Sequence, residues 1–140
     1  GVSLGSGALL VCDENTCVVD LAKVLLNFFR FECCAKCTPC RIGTQRLYQA
    51  FDEISSGNSS IEHLIELEQI GQDMEFLSNC GLGQTASVAV RDILKYFRQE
   101  VEEHLTHQFC RAGVCKFTHR FPRQQVAWVK DAEAVWREGE

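Results

Sequence analysis

The sequence predicts a mostly α-helical fold: a small four-helix bundle, with a short strand remnant before it and a loosely ordered or helical tail after it. Three observations carry that expectation. Apolar residues recur at three- and four-residue spacing through four segments between residues 17 and 105. Capping and turn residues punctuate those segments. The length of 140 residues, with 46% hydrophobic and 24% charged side chains, suits one modest core.

Glycine-rich residues 1–7 lead into Ala8-Leu9-Leu10-Val11-Cys12, an apolar run of strand length. A lone strand is not stable, so this run reads as the end of an upstream sheet domain. The chain has no initiator Met and no basic-then-apolar leader, and we read it as a piece of a longer one. Asp13-Glu14-Asn15-Thr16 supplies turn and N-cap residues. Beyond it, Val18, Leu21, Ala22, Leu25, Phe28 and Phe29 fall on one helical face, with Asp20, Lys23, Asn27 and Arg30 opposite. A second helix is expected from Arg41 to Ser56, with Leu47, Phe51 and Ile54 inward and Gly57 closing it in the left-handed conformation. Ser59 and Glu62 form a capping box for a third, which carries Leu64, Ile65, Leu67 and Ile70 and ends near Asn79. A fourth runs from about Thr85 to about Leu105 and buries Val90, Ile93, Leu94, Phe97 and Val101. After Pro122, the residues Trp128, Ala132, Val135 and Trp136 make one apolar face, suited to docking on a partner or folding back. The expected divisions are residues 1–14, 15–106 and 107–140.

Charge excludes some functions. A net charge of −5 and the absence of any Lys/Arg stripe argue against nucleic acid as a partner. No apolar run reaches the roughly 18 residues of a membrane span, so no direct membrane insertion is expected.

Nine cysteines demand an explanation. A disulfide scaffold fits poorly: the number is odd, Cys33 and Cys34 are adjacent, and four cysteines crowd into residues 33–40, too close to pair easily with one another. A metal or cluster site in a reducing, cytoplasmic compartment fits better. Cys34, Cys37 and Cys40 stand at C-x2-C-x2-C spacing, which wraps one short segment around three corners of a cubane iron–sulfur cluster. Zinc more often takes two separated pairs. The fourth ligand is assigned to Cys80, in Ser78-Asn79-Cys80-Gly81-Leu82-Gly83-Gln84-Thr85, where two glycines let backbone N–H groups approach inorganic sulfide and a helix N-terminus follows. Lys36 and Arg41 add positive potential nearby or serve as solvated side chains. Cys12, Cys17 and Cys33 read as small buried apolar residues.

A second candidate site combines Cys110 and Cys115 with His107 and His119, a thiolate and imidazole set suited to zinc. The bland alternative is a surface turn closed by Gly113. Two other readings of the whole chain stand beside the electron-transfer one. The first is a zinc-binding helical interaction domain without a redox role, and the second is a helical scaffold whose thiols are merely buried.

The run from Glu32 to Thr44, then Asn79-Cys80-Gly81-Leu82-Gly83-Gln84-Thr85-Ala86, then Leu94-Lys95-Tyr96-Phe97-Arg98, resembles the C-terminal iron–sulfur region of the flavin-containing, NADH-oxidising subunit of respiratory complex I. The same region recurs in NAD(P)-linked hydrogenases and soluble formate dehydrogenases. Asp13 to Cys17 and the ending Ala112-Gly113-Val114-Cys115 look most like the hydrogenase flavin subunits. In those, further ferredoxin-type motifs often follow, whereas the tail after Phe117 has no cysteine. The family usually has Ser-Cys-Gly where Cys33-Cys34-Ala35 stands, and Pro where Ser87 stands. Ala35 fits without strain only at negative φ. The resemblance implies one [4Fe-4S] cluster on Cys34, Cys37, Cys40 and Cys80, with FMN and NAD(P)H bound only in an upstream domain. It also implies partners that are other domains or subunits of a multi-subunit redox complex. The expected role is an electron relay of an NAD(P)H-linked oxidoreductase, not catalytic by itself.

Overall fold

The computed structural model describes residues 9–61 and 63–117. Six helices follow one another: α1 (Val18–Glu32), α2 (Thr38–Ser56), α3 (His63–Leu77), α4 (Gly81–Ala86), α5 (Val88–Tyr96) and α6 (Arg98–His107). The mostly α class stands, with two corrections. Residues 9–12 are irregular and exposed rather than a strand, since no neighbouring strand completes their backbone hydrogen bonds. The fourth expected helix is three helices, α4 to α6, beginning at Gly81.

Its breaks have local causes. At Ser87 the hydroxyl donates to the carbonyl of Gly71 in α3, at 3.0 Å, pinning the joint between α4 and α5. Phe97, at φ −124° and ψ 25°, leaves the helical region and redirects α6. With these turns α5 packs on α3 and α1, while α6 crosses α2, α5 and α1. The most extensive contact is between α1 and α2.

The core is built from Leu26 of α1, Leu47, Phe51 and Ile54 of α2, Leu64 and Met74 of α3, Val90 of α5 and Val101 of α6. Each such side chain contributes about 1.5–3 kcal/mol by leaving water. The buried stripe of α1 is Val19, Ala22 and Leu26, rotated from the expected one, and Phe28 is 57% exposed. The helix is apolar on more than one side, so packing on α2 and α5 selects the stripe. In α3, Leu64 and Leu67 are buried as expected, whereas Ile65 is 76% exposed. Gly57 ends α2 at φ 77°, as its sequence position predicts. The Ser59–Glu62 capping box involves a residue outside the described ones; the Ser59 hydroxyl is bonded to His63 Nδ1 at 3.1 Å. His119 and the apolar tail face also lie outside the described residues.

One contact brings the ligand-bearing segments together. A Cβ at Gly43 would collide with the side chain of Met74, so the glycine lets α3 press against the first turns of α2. The turn after α3 is thereby delivered to the start of α2.

Candidate metal centres

The first centre lies where α1, α2 and α4 meet. Cys37 is the N-cap of α2, with Pro39 in the first turn, and Cys40 is buried one turn in. Pro at that position loses no hydrogen bond, because first-turn N–H groups have no partner within the helix. Arg41 Nη1 donates to the carbonyl of Ala35 at 3.2 Å, so Arg41 braces the loop between α1 and α2. Ala35 sits at φ 60°, the left-handed region. The negative φ that would suit alanine is therefore absent, and the residue is strained by about 1–2 kcal/mol.

Cys80 is the N-cap of α4. It is exposed, yet its turn is packed tightly against α2. A Cβ added to Gly83 would lie 2.5 Å from Ser78 Oγ and 2.9 Å from Cys40 Cβ, so only glycine permits this approach. Cys37 accepts hydrogen bonds from the backbone N–H of Asn79 and then of Cys40, which lower its pKa. Cys40 is pushed up to about 12, by burial first, then by Cys33 as hydrogen-bond partner, then by charge on Cys33, Cys37 and Cys80. Cys33 Sγ lies 3.3 Å from Cys40 Sγ, so Cys33 faces the ligand cysteines rather than turning away as expected. Cys34 is exposed.

This donor set fits an iron–sulfur group. Charge on Cys33, Cys37 and Cys80 opposes ionisation of Cys40, and a cationic centre would remove that opposition. The hydroxyl of Ser78, buried beside Gly83, has no hydrogen-bond partner among the described residues. An orphaned donor next to Cys40 matches a missing acceptor such as sulfur.

The second centre is built at the opposite end of α1. Ligand atoms of Cys17, His104, Cys110 and Cys115 all lie within 4.8 Å of one another. Cys17 is the N-cap of α1, and its Sγ is 3.3 Å from His104 Nε2 and 3.6 Å from Cys115 Sγ. A tetrahedral ion with metal–sulfur bonds of ~2.3 Å would set sulfurs roughly 3.8 Å apart. His104 Nδ1 bonds the carbonyl of Glu100 at 2.7 Å, which leaves Nε2 turned toward the cysteines. The Glu100 carboxylate accepts the N–H of Val18, at 3.2 Å, so α6 also caps α1. Arg111 closes the 110–115 hook through two bonds to Glu103, at 2.8 and 2.6 Å. Gly113, at φ 71°, makes its turn.

The charges are polarised. Cys17 is held down to about 3, first by its bond to Cys115, against burial, then by His104. Cys115 is pushed far up, first by that same bond and then by burial. Burial alone would lower His104, but Cys17 and the Glu100 carbonyl raise it to about 9. The pocket thus pairs a Cys17 held toward its thiolate form with a His104 held toward its imidazolium form, and a cation bound there would displace protons from His104 and Cys115.

Sequence reasoning found Cys110 and Cys115 but paired them with His107 and His119. The structure brings His104 and Cys17 to them instead, while His107 is exposed. Cys17 is buried as expected, but its sulfur faces donors rather than only packing. Cys12 is exposed, not buried. The missed signal lay in helical phase: His104 is one turn after Glu100 and three residues after the core residue Val101, hence inward, whereas His107 falls at the helix end.

Among the described residues, no helix is long and apolar enough to cross a membrane. Comparison with known proteins gives a consistent result. The NADP-reducing hydrogenase subunit HndC of Solidesulfovibrio fructosivorans is 39% identical over 80% of this chain and 23% of its own length. An NADH-quinone oxidoreductase subunit of Streptomyces coelicolor is 39% identical over 90% of this chain and 28% of its own length. The chain therefore spans about a quarter of these relatives. The crystal structure of an NAD+-reducing [NiFe]-hydrogenase in its H2-reduced state superposes on 91% of the chain and 20% of its own, with a TM-score of 0.66 and 31% identity. Residues 20–104 match the model of one family, and on that match the chain belongs to the NADH-ubiquinone oxidoreductase-F iron-sulfur binding region.

Proposed function

We propose that Cys34, Cys37, Cys40 and Cys80 bind one [4Fe-4S] cluster, and that the chain relays single electrons between a flavin and further centres of an NAD(P)H-linked oxidoreductase. The observation that carries this reading is the approach of the Asn79–Cys80 turn to Cys37 and Cys40. When bound, the cluster takes up and gives up electrons singly, the step a two-electron hydride carrier needs from its neighbour. The chain's own residues hold and tune it. N–H groups of Asn79 and Cys40 point at sulfur, burial of Cys40 restricts water, and Gly83 keeps the two ligand segments in contact. FMN and NAD(P)H belong, in this reading, to a domain before residue 15, and other subunits in a reducing, cytoplasmic compartment complete the complex.

Anaerobic metal analysis with electron paramagnetic resonance of the reduced protein tests this. Roughly four irons per chain are expected in the wild type, with loss of the cluster in Cys80→Ala. A colourless chain holding only zinc would overturn the relay and favour a zinc-binding interaction domain.

Cys17, His104, Cys110 and Cys115 in turn hold a single zinc ion as a structural tie, supported by the compact and buried donor set. The tie would join the residue before α1 to the hook beyond α6. Cys115→Ser is expected to abolish zinc binding and leave iron in place. A wild-type chain that carries its iron but no zinc would refute the second centre.

A further inference from the structure

Cys33 stands immediately before the C-x2-C-x2-C motif, and its sulfur is turned toward Cys40. Its Sγ lies 3.3 Å from Cys40 Sγ, although seven residues separate the two. The N–H of Ala35 points at the same sulfur, at 3.4 Å, the kind of donor that steadies a thiolate on iron. Cys33 is half-buried, whereas Cys34 is exposed. Of the two adjacent thiols, the inner position is thus held by the one outside the C-x2-C-x2-C pattern.

We propose that Cys33 is a fifth thiol ligand of the iron site, exchangeable with Cys34, so that the chain holds its cluster in either of two ligand sets. This rests on the iron–sulfur reading above. The exchange moves no electrons: an iron–sulfur bond to Cys33 forms as the one to Cys34 breaks, Cys33 gives up its proton, and Cys34 takes one. Rotation is confined to residues 33–35, because Arg41 on the bonded carbonyl of Ala35 and the helical start of α2, with Pro39 in its first turn, hold the far side. A serine at 33 would not serve equally, since iron in such clusters is held by thiolates.

The full chain is reconstituted anaerobically with ferrous iron and sulfide as wild type, Cys34→Ser, Cys33→Ser and the double variant. Iron content, helical circular dichroism and the resonance spectrum of the reduced state are read for each. Cys34→Ser and Cys33→Ser are each expected to keep most of the wild-type iron, with g values that differ from each other and from the wild-type mixture, and the double variant to lose it. Iron loss in Cys34→Ser equal to that of the double variant, with helicity intact, would overturn the proposal. Should Cys34→Ser fail to fold, alkylation of the loaded wild type decides, with peptide mapping against the unloaded chain. Partial protection of both Cys33 and Cys34 supports exchange, and full protection of Cys34 with none at Cys33 refutes it. A wild type that takes up no iron would instead remove the underlying reading.

Discussion

Two small residues govern the pocket around Cys37, Cys40 and Cys80. Gly83 touches both Ser78 and Cys40, so Gly83→Ala forces the two ligand segments apart. Overpacking of this kind costs about 1–3 kcal/mol. Chemical denaturation of the iron-free chain is expected to show that loss, and reconstitution a lower iron yield; unchanged values for both would mean that the turn yields freely. Ala35 presents the opposite case. Its left-handed backbone is relieved in Ala35→Gly, and the gain of about 1–2 kcal/mol outweighs the roughly 0.5–1 kcal/mol of extra chain entropy that glycine loses on folding. A rise in thermal midpoint is the expected outcome. The sign of this effect was not readable from sequence: the departure from glycine was visible, but φ at residue 35 is a property of how the loop closes onto α2. In the same way C-x2-C-x2-C and Cys80 could be picked out by spacing and glycine content, whereas the inward turn of Cys33 depends on the loop's path.

At the scale of elements, α1, α2 and α3 were legible from their apolar periodicity and from a stop such as Gly57 for α2, although α2 begins at Thr38, ahead of the expected Arg41. The segmentation into α4, α5 and α6 was not. Its breaks at Ser87 and Phe97 come from α3 and from packing of α6, contacts that a periodic apolar pattern does not encode. The second centre was half legible for the same reason, because Cys17 lies far in sequence from the α6 hook. A pH dependence arises from its charges. His104, raised to about 9, carries a proton in the metal-free pocket throughout the neutral range, and Cys115 is also held in its protonated form. Cys17, held down to about 3, has none to release there. A zinc ion held there, as proposed, would displace protons, and its affinity is expected to climb as pH rises toward about 9. Competition against a chromophoric chelator over that range measures the slope, and an affinity independent of pH would contradict the assigned protonation states.

Across the whole molecule, large exposed apolar side chains are spread along the chain, and two of them stand just before cysteine-bearing turns. Phe31 precedes Cys33 and is 72% exposed, and Phe76 precedes Cys80 and is 80% exposed. Large exposed apolar groups of this kind mark surfaces that associate. The chain alone is expected to self-associate with concentration, and Phe31→Asp with Phe76→Asp to weaken this while sparing iron uptake, as sedimentation would record. Equal association in the double variant would place the contact elsewhere.

The bond between Cys17 and Cys115 closes a span of 98 residues. All four thiols assigned to iron lie inside it. On the proposed assignments, a truncation that removes Cys115 would leave the iron-binding stretch whole and free only the two ends that this contact joins.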